Sequence, residues 1–180
     1  MTDAMLLARR AFPFALALGI WFTPVPGGLT APAWHLFAIF AGAIALMVVL
    51  HLLIPGPQWP TGPSRAVGAL LVFAGIALNV VCAKLFEDRR TAIKPYEEPS
   101  KLVVDGPYRY TRNPMYVGMA GVLAAHALWR GPVAALPLLA WVTVIDRLQI
   151  RPEEASMREL FGGQYAAYRD TVPRWLGPVG

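Results

Sequence analysis

No Asp, Glu, Lys or Arg occurs between Ala11 and Ser64. A stretch that long without a formal charge cannot make the surface of a water-soluble domain, but it can face lipid. Trp34 to Ile54 is one uncharged run, long enough to cross the hydrocarbon, which takes about 20 helical residues. Pro55-Gly56-Pro57 closes it. Ala66 to Ala83 is a second apolar run, ended by Lys84. Met115 to Trp129 and Val133 to Ile145 follow, separated by Arg130-Gly131-Pro132, where the proline suits the first turn of the next helix. The last two are short for a bilayer, so they are expected to reach into the polar flanks or to sit tilted in thinned lipid. Pro137 is expected to bend the fourth.

These runs predict an all-α integral membrane protein, a bundle of four to five transmembrane helices with a C-terminal helical hairpin and a cytoplasmic C-terminal helix. One domain is expected over residues 1–180, with N-terminal membrane helices over 1–86 and the loop, hairpin and final helices over 87–180. The count turns on Ala11 to Phe22. Arg9-Arg10 before this run, with Ala31-Pro32-Ala33 after it, resembles a secretory signal. The aromatic content, Pro13 and Pro32 argue instead for a retained first membrane segment.

Only 15% of residues are charged, against roughly 25% in soluble proteins. The net charge of +5 raises nucleic acid as a partner. The basic residues, however, sit beside apolar runs and are interleaved with acids, a pattern suited to anionic headgroups rather than to a phosphate-tracking stripe. No nucleic acid is therefore expected; the partner is the lipid bilayer. Seven Lys and Arg lie between Lys84 and Arg112, and five more lie at Arg147, Arg151, Arg158, Arg169 and Arg174. One helical hairpin separates the two groups, so they share a side, which the positive-inside rule makes cytoplasmic. The expected location is thus multi-pass in the plasma or inner membrane. Cys82 is the only cysteine, so no intrachain disulfide exists. His35, His51 and His126 in or beside apolar helices are expected to be buried or interfacial, and Asn79 to join helices.

Chemistry concentrates in two polar stretches. In the first, Asp105-Gly106-Pro107 is a turn and Asn113-Pro114 a helix start, since Asn is a favoured N-cap and Pro fits the first helical position. Arg109 and Arg112 flank that helix mouth, which makes an expected receptor for a carboxylate or phosphate. Tyr108, Tyr110 and Tyr116 supply faces for a flat base or a sulfonium. The same residues also suit plain anchoring at the headgroups. In the second stretch, Pro152-Glu153-Glu154 opens a helix whose first turn favours acids; the pair can also accept from ribose hydroxyls or an ammonium. Gly162-Gly163 ends that helix, and a shorter one carrying Tyr165 and Tyr168 follows, stopped by Pro173. Asp146 and Arg147 are further candidates at the inner helix end, or a boundary ion pair. No Cys/His ligand set exists, and no metal is expected.

The string GPYRYTRNPMYVG (Gly106 to Gly118), followed after one hairpin by Pro152-Glu153-Glu154, LFGGQYAAY (Leu160 to Tyr168) and VPRW (Val172 to Trp175), resembles the integral membrane methyltransferases, the isoprenylcysteine carboxyl methyltransferase and phospholipid N-methyltransferase superfamily. The resemblance covers Lys101 to Trp175. It implies S-adenosylmethionine as cofactor and methyl transfer to a lipid or other apolar acceptor at the cytoplasmic side. It implies roles at the reacting centre for Arg112, Asn113 and Glu154. It further implies a cofactor-binding set of Tyr108, Arg109, Arg112, Asn113, Pro114, Tyr116, Gly118, Arg151, Glu153, Glu154 and Tyr165. Many relatives carry His at the position of Asn113, so no imidazole is available there. Two other readings stay open: an NADPH-dependent membrane reductase of the sterol-reductase type, and a non-enzymatic multi-pass protein.

Overall fold

The computed structural model describes residues 34–54, 61–91 and 99–178. The expected segment Ala11 to Phe22, with its ambiguity over a signal, lies outside them. Among the described residues there are five α-helices: α1 (Trp34–Leu53), α2 (Thr61–Arg89), α3 (Pro114–Arg130), α4 (Ala135–Ile145) and α5 (Arg151–Thr171). A 3-10 turn over Gly106–Arg109 precedes α3, another over Pro132–Ala134 precedes α4, and a π turn over Asp146–Ile150 joins α4 to α5. The fold is all-α, and three helical stretches, including the continuous one from Pro132 to Thr171, are long and apolar enough to cross a membrane.

α2 runs further than its apolar stretch predicts, and its end has a specific cause. Arg90 adopts φ 52°; its N–H donates to Glu87 O at 3.0 Å, and Thr91 N–H donates to Phe86 O at 3.2 Å. This pair of bonds is the Schellman stop, built here on arginine in place of the usual glycine. Pro137 does not bend α4. It falls in that helix's first turn, after the 3-10 segment, where the missing N–H has no helical acceptor anyway. The widened turn comes later. Pro152 lies inside a continuous helix, where its ring would press on the carbonyl four residues back; the π turn immediately before it opens the backbone at that point.

α3 is the hub. Phe40, Ile44 and Met47 of α1 pack with Met119, Val122 and Leu123 of α3 and with Trp141 and Ile145 of α4, and Phe40 meets Trp141 edge-on with centroids 6.0 Å apart. On its other side α3 lies close against α2. A Cβ on Gly118 would stand 2.7 Å from Gly75 O and 2.3 Å from Asn79 Nδ2, and one on Gly68 would enter the Trp129 indole. Glycines thus set the distance between these helices, as is usual where lipid supplies no hydrophobic drive. Asn79 is not the interhelical hydrogen bond expected of it: its Nδ2 donates to Gly75 O of its own helix at 2.9 Å. At the far end from the polar stretches, His51 Nδ1 donates to Arg130 O at 2.9 Å and joins the ends of α1 and α3. His126 is buried in α3; both match expectation. Leu46, Val49, Leu52, Leu70, Phe73 and Val80 face outward, where a lipid solvent accepts them.

Candidate active site

The two polar stretches meet. The turn before α3 is made as expected, with Gly106 at φ 57°, and Tyr108 N–H donating to Asp105 O at 3.1 Å. The residues that follow then thread between α5 and a C-terminal strap, Val172–Trp175. Arg112 Nε donates to Glu154 Oε1 at 3.0 Å, and its Nη2 lies 3.0 Å from the same carboxylate. Nη1 donates to Arg169 O at 2.9 Å and to Val172 O at 2.8 Å. The guanidinium is buried and every branch of it is engaged.

This corrects the expectation of an open anion receptor at the α3 mouth. Arg112 N–H donates to Pro173 O at 2.8 Å. Thr111 Oγ1 and Asn113 Nδ2 both donate to Arg174 O, at 2.8 and 3.0 Å. Asn113 occupies the N-cap position, but its side chain does not cap; it grips the strap instead. Pro114 holds the first helical position and is fully buried. The mouth that sequence left open to a ligand is closed by the chain's own carbonyls. Arg109 and Tyr110, expected to flank it, are exposed on the outside of the turn.

The adjacent glutamates diverge, because neighbours on a helix point about 100° apart. Glu154 is 3% exposed. Besides Arg112 it takes Arg174, with Nη2 at 2.7 Å and Nε at 3.1 Å, and Arg158 at a looser 3.9 Å. Burial opposes its ionisation, but the bonds from Arg174 and the charges of Arg112 and Arg174 prevail and hold the carboxyl below its ordinary value. Glu153 faces the other way. Tyr116 Oη donates to its two oxygens at 3.0 and 3.3 Å, and Gln149 Nε2 donates at 2.5 Å. Among the described residues it has no cationic partner. Burial raises its carboxyl above the ordinary value, and the bonds from Gln149 and Tyr116 only partly offset that.

Aromatic groups complete the site. The Tyr108 ring meets Phe86 of α2 edge-on at 5.6 Å, and its carbonyl accepts from Tyr168 Oη at 2.7 Å. Tyr165 is buried and lies edge-on to Tyr168 at 6.2 Å. Gly162, at φ 48°, kinks α5 where the sequence predicts a break. Arg151 does not reach either glutamate; it is exposed and pairs with Asp146 at 3.0 Å. Asp146 also receives Trp175 Nε1 at 3.2 Å and Arg174 at 3.4 Å. Burial opposes its ionisation too, but the Trp175, Arg151 and Arg174 contacts hold its carboxyl below the ordinary value. Gly118 stands in the α2–α3 seam rather than beside the glutamates.

Sequence reasoning missed Arg174 and Gln149. Arg174 lay within the VPRW string but carried no role there. Gln149 is four residues before Glu153, which is a same-face spacing on a helix, and that was the available signal.

Residues 63–164 match the family described as phospholipid methyltransferase. The match takes in α2, where the sequence showed no motif, as well as α3 and α4 and most of α5. An uncharacterised protein of Haemophilus influenzae is 36% identical over 63 residues, which are 34% of this chain and the whole of that protein. A putative malate transporter, YflS, of Bacillus subtilis is 48% identical over 42 residues, 23% of this chain and 9% of the transporter. The similarity to the transporter is thus confined to a small part of that protein, whereas the family match spans more than half of the chain. On that match, and on the apolar helices that carry the site, the chain belongs to the phospholipid methyltransferase family of membrane methyltransferases.

Proposed function

We propose that this protein transfers a methyl group from S-adenosylmethionine to a lipid or other apolar acceptor at the cytoplasmic surface of a membrane. Glu153 carries the reading. A half-buried carboxylate, held by two neutral donors and lacking a cationic partner among the described residues, suits an arriving cation. The cofactor offers two, a sulfonium and an ammonium. Tyr116 and Tyr108 lie beside Glu153, with Tyr168 against Tyr108, and suit a flat base or a cation over a ring face. The donor set therefore fits the cofactor, which when bound supplies an electrophilic methyl group.

The residues have little acid–base work to do in an in-line displacement; alignment and exclusion of water matter more. Glu153 and Tyr116 would bind the cofactor. Arg112, Asn113, Glu154 and Arg174 hold the α3 mouth, α5 and the strap in one arrangement. An apolar acceptor would approach from the lipid, since α1 and α2 present apolar faces outward. The cytoplasmic assignment rests on the clustering of Lys and Arg on the site's side.

Calorimetry on purified protein tests the proposal. S-adenosylmethionine and its demethylated product should both bind, and NADPH should not. Incubation with methyl-labelled cofactor and native membrane extract should then yield a labelled lipid. Binding of NADPH in place of S-adenosylmethionine would move the chain to reductase chemistry.

A further inference from the structure

The π turn between α4 and α5 carries one buried polar side chain, Gln149, whose amide points at Glu153. We infer that Gln149 is a positioning residue: from the widened turn it fixes the orientation of the Glu153 carboxylate and keeps that group charged for a cationic ligand. This rests on the function proposed above and deepens it, because it names how the cation-binding acid is held ready.

The geometry makes the case. Glu153 is gripped from two elements at once, by Tyr116 of α3 and by Gln149 of the π turn. Both grips are neutral donors. They satisfy carboxylate lone pairs without cancelling the charge, as an arginine would. The contrast is one residue away, where Glu154 is neutralised by Arg112 and Arg174. The register also matters. Gln149 belongs to the five-residue turn that Pro152 imposes, and π turns recur at functional sites. The groups facing Glu153 are Tyr116 from α3, Gln149 from the π turn and, at longer range, Tyr108 from the 3-10 turn. Glu154, on the same helix, is turned away to its arginines. No histidine and no further acid bears on it among the described residues. Burial pushes the Glu153 carboxyl up, and the Gln149 bond is first among the contacts that restrain it. Without that bond the carboxyl moves further toward neutral.

The test is the pH dependence of cofactor binding. Gln149→Met keeps the side chain's length and removes its donor. Tyr116→Phe removes the other donor, and Glu153→Gln removes the charge. Calorimetric Kd values for S-adenosylmethionine are measured from pH 6 to 9 on full-length protein in detergent. Wild type sets the reference profile, to which the ligand's own amine contributes equally in every variant. Gln149→Met should show that profile with its acid limb displaced to higher pH, so that its deficit against wild type grows as pH falls, since binding to an acid's ionised form falls about tenfold per pH unit below its pKa. Tyr116→Phe should shift the same way, and Glu153→Gln should be weak at every pH. If wild type binds and Gln149→Met binds equally well, or is weaker by one factor at every pH, the positioning role is overturned while the methyltransferase reading stands. If wild type does not bind S-adenosylmethionine, the reading itself falls and this role with it.

Discussion

Replacing each of the two arginines on Glu154 by lysine should separate a buried junction from a peripheral one. Arg112 makes four contacts through its forked head: two to Glu154 and one each to Arg169 O and Val172 O. A lysine ammonium is a single point on a flexible stem. It can serve the carboxylate or the two carbonyls, but not both, so at least two contacts are lost in Arg112→Lys. Hydrogen bonds to charged groups contribute about 1.5–3 kcal/mol each, which gives roughly 3–6 kcal/mol. Severed buried pairs lose about 3–5 kcal/mol, so the expected loss is near 3–5 kcal/mol. The Arg174 side chain is 29% exposed against 4% for Arg112. Arg174→Lys leaves Glu154 paired with Arg112, and the expected loss is about 1 kcal/mol. Unfolding in mixed micelles, driven by an anionic detergent and followed by tryptophan fluorescence, measures both. Equal losses, or a larger loss at Arg174, would refute the view that Arg112 is the joint between the α3 mouth and α5.

Three other outcomes follow from the same geometry. Gly118→Val should force α2 and α3 apart, because the new Cβ meets the backbone oxygen of Gly75 at 2.7 Å; the expected loss is about 1–3 kcal/mol, while Gly121→Ala, with only a 3.7 Å contact to Leu71 O, should be tolerated in the same titration. Asn79→Ala, which adds no bulk to the seam, should cost little or should stabilise, because Asn79 Oδ1 is buried with no partner among the described residues and such a group is unfavourable by about 1–3 kcal/mol; a loss above that range would refute the reading of that oxygen as unsatisfied. Acid should loosen the strap. Glu154 and Asp146 titrate below their ordinary 4.5 and 3.8, so the stability they contribute is complete above those values and is lost as pH falls through the lowered ones; melting curves should fall below about pH 4, with a shallower fall in Glu154→Gln.

Most of the fold was written in the apolar runs. Trp34 to Ile54 became α1 with its end displaced by one residue, and the pair of short helices after Met115 was legible from Arg130-Gly131-Pro132. The meeting of the two polar stretches followed from the order of the motifs. What could not be read was the direction of side chains. Arg109, Arg112, Arg151 and Arg174 look alike in a sequence, and each sits beside a motif residue. Only packing decides that Arg112 turns inward, that Arg109 and Arg151 stay outside, and that Arg174 returns from the strap to Glu154. The same holds for Asn113. Its N-cap position is a local property and was predicted correctly; its side chain was taken by a carbonyl 61 residues away, and no local rule anticipates that. Pro137 and Pro152 show the limit from the other side. A proline in the first turn passes unnoticed, while one inside a continuous helix rewrites the turn before it.

The pairing of Glu153 with Glu154 invites treating them as one unit, yet their surroundings give them opposite work. Glu154 already faces two guanidinium groups within 3.1 Å. Its field is cancelled close at hand, so a third cation arriving nearby gains little from it. Removing it strands Arg112 in a buried position, which is among the most damaging changes a folded protein suffers. Glu153 has no such debt. It is stabilised by a hydroxyl and an amide, so replacing it by glutamine removes the charge, keeps an oxygen that accepts from a neutral donor, and strands no buried ion. Glu154→Ala should therefore destabilise the fold and reduce cofactor binding only in proportion to the folded fraction. Glu153→Gln should leave the melting temperature within a few degrees and weaken S-adenosylmethionine binding outright. Measuring melting and calorimetric affinity on the same samples distinguishes the two, and an intact fold with lost affinity in Glu154→Ala would reverse the assignment of roles.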